Sequence, residues 1–153
     1  MQLIEKGTMK TAADIMTPDP ACYALDAPLG AVARLMVQHN CCEVPVVDTD
    51  GQLIGVVTDR DIVCRVLAAD RNPLDHTVQD CVSQPVISVS PDATLSEVMS
   101  TMERHQIRRV PVVDDGERCI GIIALADLAW AGQQKDVAVL VREVSRETDS
   151  PSR

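Results

Sequence analysis

One stretch of this chain occurs twice. Glu43-Val44-Pro45-Val46-Val47-Asp48, a turn, then Ile54-Gly55-Val56-Val57-Thr58-Asp59-Arg60-Asp61 returns as Arg109-Val110-Pro111-Val112-Val113-Asp114, a turn, then Ile120-Gly121-Ile122-Ile123-Ala124-Leu125-Ala126-Asp127. Positions 45 and 111, 55 and 121, and 61 and 127 share one spacing of 66 residues. Upstream, the same spacing relates Asp26 to Asp92, Leu29 to Leu95, Val32 to Val98, Met36 to Met102 and His39 to His105. Self-similarity at a fixed period marks one supersecondary unit made twice. A single unit of this size exposes apolar helix and sheet, so the two copies must pack together. Function is therefore expected where they meet.

Each copy reads β-α-β-β-α. In the first, Thr11–Met16 predicts a short leading helix stopped by Pro18 and Pro20, and Ala21–Leu25 a short strand. Asp26 reads as the cap of a helix with Pro28 in its first turn. Leu29, Val32, Ala33, Met36 and Val37 fall on one face of it. Strands follow at 44–47 and 53–57, joined by the turn Asp48-Thr49-Asp50-Gly51, and then a helix capped by Asp59 or Thr58 and running to about Ala69. The second copy repeats this with a leading helix at 77–81, a strand at 86–89, a helix capped by Asp92, strands at 110–113 and 119–123, and a helix from about Leu125. A last helix starts near Asp136 and buries Val137, Leu140, Val141 and Val144. The resulting organisation is an N-terminal arm (1–10), a first repeat (11–68), a polar linker (69–76), a second repeat (77–131), and a C-terminal helix and tail (132–153).

The formal net charge of −9 disfavours a nucleic-acid backbone or an anionic membrane surface, both of which call for clustered Lys and Arg. With no Phe, one Tyr and one Trp there is no aromatic platform for stacking bases. No apolar run approaches the roughly 20 residues of a membrane span, and the N-terminus lacks the apolar core of a signal peptide, so the cytoplasm is the expected location. No pair among the six cysteines has CxxC spacing, which fits small apolar residues in a reducing compartment. Cys41-Cys42 beside His39 is the one grouping that could take a soft metal. No strained GxSxG turn or histidine cluster points to catalysis.

The hydrophobic-Pro-Val-Val-Asp strand and the Gly-hydrophobic-hydrophobic-Thr-x-x-Asp turn, twice and in order behind an amphipathic helix, resemble a tandem pair of CBS domains over about residues 11–131. The resemblance implies an α/β (mixed α+β) fold in which two repeats pack about a pseudo-twofold axis. It implies regulatory binding rather than catalysis, with no cofactor required. The implied ligand contains adenosine (AMP, ADP, ATP or S-adenosylmethionine) and sits in clefts between the repeats. Thr58 and Asp61 would meet the ribose or phosphate, with Asp127 as the second copy's carboxylate. Ala124 stands where a second Thr would be. Arg108 and Arg109 hold the place of phosphate contacts, because a guanidinium makes paired charge-assisted bonds. In the first copy Cys42 and Glu43 stand there, and Arg60 could assist. Val44 and Val110, in the two Pro-Val-Val strands, join the site by the same resemblance.

The two clefts are thus expected to be unequal, with the Thr58/Asp61 cleft the tighter. Thr58 and the two aspartates also fit plain helix capping. The resemblance further implies a homodimer, two pairs stacked through the apolar faces of the helices. Two other readings use the same residues: a structural dimerisation module with vestigial clefts, favoured by Ala124 and Glu43, and a thiol or metal stress sensor built on Cys41-Cys42.

Overall fold

A computed structural model describes residues 9–146. Most of the expected arm (1–10) and the tail beyond Arg146 lie outside the described residues. The elements are α1 (Ala12–Ile15), β1 (Thr17–Pro18), α2 (Leu29–His39), β2 (Glu43–Val47), β3 (Leu53–Thr58), α3 (Asp59–Arg65), α4 (Leu95–His105), β4 (Arg109–Val113), β5 (Cys119–Ala124), α5 (Leu125–Trp130) and α6 (Gln134–Val144). Leu29, Val32 and Met36 of α2 are buried, and Leu95, Val98 and Met102 of α4 repeat them. This is the one-sided burial that a helical period produces. Both helices end on a left-handed residue, Asn40 or Gln106, whose N–H returns to the last turn.

β2 and β3 form an antiparallel hairpin with Pro45 opposite Val56, and β4 and β5 another with Pro111 opposite Ile122. The first turn is held by Asp48 Oδ1, which accepts from Asp50 N and Gln52 N at 2.9 Å each. Asp114 Oδ1 does the same for Gly116 N and Arg118 N, again at 2.9 Å. An Asp that folds back on its own backbone in this way fixes the turn and, through it, the register.

The segments that lead into each repeat cross over to the other. Thr17 and Pro18 pair with Ile122 and Gly121 of β5, while Ser83 bridges Val56 of β3. Ala12 N donates to Ala93 O at 2.8 Å, and Val78 N donates to Ala27 O at 2.9 Å. Ala12, Ile15 and Met16 pack in the second repeat's core, and Val78, Cys81 and Val82 in the first's. The glycines ahead of each crossing explain the close fit. A Cβ on Gly55 would come within 2.9 Å of the Ser83 carbonyl and 2.6 Å of Val82 Cγ2, and one on Gly121 would overlap Met16. α6 adds Val137, Leu140 and Val144 to the second core, packing on α4 and α5.

Several expected elements differ in the structure. The strands over 21–25 and 86–89 shrink to single parallel bridges, Tyr23 to Val46 and Val89 to Val112. Asp26 and Asp92 do not cap. Pro28 is the N-cap residue of α2, and Thr94 caps α4 by accepting from Glu97 N while Glu97 accepts from Thr94 N at 2.7 Å. That reciprocal Thr-x-x-Glu pair satisfies two end donors together, which an Asp two residues earlier cannot reach. The helix after β3 stops at Arg65 and gives way to a 3₁₀ turn over Leu67–Ala69, and the leading helix at 77–81 is a 3₁₀ turn over Val78–Asp80. α6 begins at Gln134, slightly ahead of Asp136.

Candidate ligand-binding cleft

The two repeats are not alike where strand passes into helix. In the first, Asp61 N donates to Thr58 Oγ1 at 3.0 Å and Thr58 N donates to Asp61 Oδ2 at 2.9 Å, a closed capping box at the start of α3. The Asp61 carboxylate also accepts from the Ser83 hydroxyl at 3.2 and 3.3 Å and pairs with Arg65 at 3.6 Å. The lead segment of the second repeat thus already occupies this carboxylate.

In the second repeat only half of the box exists. Ala124 N donates to Asp127 Oδ2 at 2.7 Å, but Ala124 has no side-chain oxygen to accept in return. Among the described residues Asp127 makes no further side-chain hydrogen bond, so its other carboxylate oxygen is available.

Asp127 and Ala124 line a cleft of about 510 Å³ between β5 and the segment Thr17–Ala21. Leu35, Pro45 and Ile122 supply apolar wall. The charged groups are Asp19, Glu43, Arg109 and Asp127, with His39 beside them. Of the residues singled out by sequence, Arg109 and Asp127 come together here. Thr58, Asp61 and Arg60 lie at the start of α3, outside this lining. Val44 and Val110 are fully packed in the two cores. Arg108 turns away and donates to Ser145 Oγ at 3.1 Å, just beyond α6.

Sequence reasoning passed over Glu43 because a carboxylate cannot bind phosphate. It is the equivalent of Arg109 at the 66-residue spacing, and that pairing was the signal that could have found it. Glu43 Oε1 is sealed from solvent and has no hydrogen-bond partner. Burial raises its carboxyl from the ordinary 4.5 to about 7, against the pull of the Arg109 guanidinium and with a further push from Asp61. Among the described residues no ion pair joins Glu43 to Arg109.

The thiols do not assemble a metal centre. Among the described residues no three His, Cys, Asp or Glu side chains are placed to hold an ion. Cys42 is exposed, and burial raises the Cys41 thiol, as does the neighbouring Cys42. Cys22 and Cys119 are in contact: the bond from Cys119 lowers Cys22, while Cys119 itself is pushed up.

The CBS domain model matches residues 12–68 and 78–133. This chain belongs to the CBS domain family. The CBS pair is 37% identical over 121 residues to hypoxic response protein 1 of Mycobacterium tuberculosis, covering 79% of this chain and 84% of that protein. A crystal structure of Hypoxic Response Protein I with two coordinated zinc ions superposes with a TM-score of 0.72 at 36% identity, over 80% of this chain and 99% of that one. The CBS domain pair of protein MJ0100, in complex with 5'-methylthioadenosine and S-adenosyl-L-methionine, gives a TM-score of 0.74 at 27% identity, over 84% and 99% of the two chains. CBSX2 in complex with AMP gives 0.70 at 26% identity, over 82% and 98%. Among the described residues no helix is long and apolar enough to cross a membrane.

Glu43 gives the CBS pair a pH signature. Its carboxyl titrates higher in the folded chain than in the unfolded one, so the folded state holds the extra proton between pH 4.5 and about 7. Stability should fall as pH rises through that window, by up to about 3 kcal/mol, and level off above it. Asp14, Asp80 and Glu97 are held below their ordinary values by backbone hydrogen bonds and act below that window. Urea unfolding of Glu43→Gln should lose this slope and exceed the wild type in stability at pH 8. The same slope in both proteins would contradict the assignment.

Proposed function

We propose that this CBS pair is a regulatory module that binds an adenosine-containing ligand in the cleft between β5 and Thr17–Ala21. The observation that carries the reading is the open cleft with a half-used carboxylate, Asp127. A free carboxylate oxygen can accept from a ribose diol, and Leu35, Pro45 and Ile122 offer the apolar contact an adenine ring requires. The cleft volume lies within the range of about 300–1,000 Å³ usual for small-molecule sites. The adenosine compounds bound by the MJ0100 pair and by CBSX2 support the class of ligand. Sequence reasoning favoured the Thr58/Asp61 cleft. The geometry favours the other, because a ligand at Asp61 must first displace Ser83. Calorimetry with adenosine should show Asp127→Ala losing about 10- to 100-fold in affinity, the worth of a hydrogen bond to a charged group. Asp61→Ala should stay within a few-fold. The reverse pattern would move the site to the first cleft.

We also propose a homodimer that uses the first repeat's helices. Val37 of α2 is 83% exposed and Val63 of α3 52% exposed, on either side of a groove that includes Ala33, Met36 and Ile62. The helices of the second repeat are packed by α6 instead. An apolar face left bare is ordinarily covered by a partner. Light scattering should give a dimer at micromolar concentration and a monomer for Val37→Glu/Val63→Glu. A wild-type monomer would contradict it.

A further inference from the structure

The pseudo-twofold places Glu43 at the position of Arg109, one repeat apart, and both residues line the same cleft. They head strands β2 and β4, an acid and a base, and close no ion pair among the described residues. One Glu43 oxygen is sealed from solvent and receives no hydrogen bond. Buried carboxylates that are not compensated in this way are costly, and a positively charged donor is what would compensate them. The other acids in the cleft, Asp19 and Asp127, outweigh Arg109. A terminal phosphate entering here would meet one guanidinium and a surplus of carboxylate.

We propose that Glu43 is a specificity determinant of the cleft, selecting an adenosine ligand whose far end is a zwitterionic α-amino acid and rejecting one that ends in phosphates. The ammonium of such an end faces Glu43, while its carboxylate faces Arg109, whose planar fork suits it. Discrimination of this kind combines an attractive contact for one ligand with a like-charge clash against the other. The inference rests on the adenosine-cleft reading above, and neutral adenosine separates the two, because it reaches the cleft walls and Asp127 without an ionic end.

Calorimetry at pH 8 with adenosine, S-adenosylmethionine and ATP tests it on the wild type, Glu43→Gln and Arg109→Gln. The wild type should bind S-adenosylmethionine at least tenfold more tightly than ATP. Glu43→Gln should weaken S-adenosylmethionine and strengthen ATP, each by about tenfold, and leave adenosine within a factor of two. Arg109→Gln should weaken both charged ligands and spare adenosine. Adenosine binding with ATP and S-adenosylmethionine unmoved by Glu43→Gln would overturn the role given to Glu43. Failure of adenosine itself to bind the wild type would overturn the cleft reading, and this inference with it. Should Glu43→Gln not fold, Glu43→Ala read by the same three ligands carries the same expectations.

Discussion

Everything in this CBS pair depends on the exchange of leading segments between the repeats. Thr17 and Pro18 add a strand to the second hairpin, and Ser83 bridges the first. α1 and the Val78–Asp80 turn follow the same rule, each burying its apolar residues in the other repeat's core. Neither repeat therefore holds a complete core from its own residues. The exchange also forms one wall of the cleft at β5, which the crossing segment Thr17–Ala21 lines. Gly55 and Gly121 are set by this geometry, because the crossing backbone or side chain sits where a Cβ would be.

Within a scaffold of near symmetry, the functional differences come from single residues. Ser83 bonds to Asp61, whereas Thr17 at the equivalent place makes no bond to Asp127 among the described residues. Thr58 completes a capping box that Ala124 cannot. The contacts that occupy the Asp61 carboxylate, from Ser83 and Arg65, have no counterpart at Asp127 among the described residues. Glu43 at the place of Arg109 is the third break in symmetry, and its sealed, unpartnered oxygen costs stability. A buried carboxylate without a donor is a liability for the free protein. The specificity role proposed for Glu43 would give it a donor when ligand is bound.

Much of the architecture was legible because a repeat reveals itself by spacing alone. The paired helices, the two hairpins and their Asp-based turns all followed from local periodicity and turn chemistry. What failed was local competition: Thr94 with Glu97 out-capped Asp92, and the strands at 21–25 and 86–89 had only one residue each in bridging position. The exchange of leading segments was not legible, since nothing in a short helix says which of two similar cores it will join. The site was legible in part. Asp127 and Arg109 were named from the motif, but the preference between clefts turned on Ser83, which no motif includes. Glu43 was visible as a departure from its repeat partner, yet its burial is a tertiary property that no motif states.

The proposed adenosine ligand enters between β5 and Thr17–Ala21. Backbone amide chemical-shift mapping by NMR during titration with adenosine locates that entry. The largest changes should fall at Thr17, Ala21, Ile122 and Asp127. Changes confined to Val56–Asp61 and Ser83–Gln84 would contradict it.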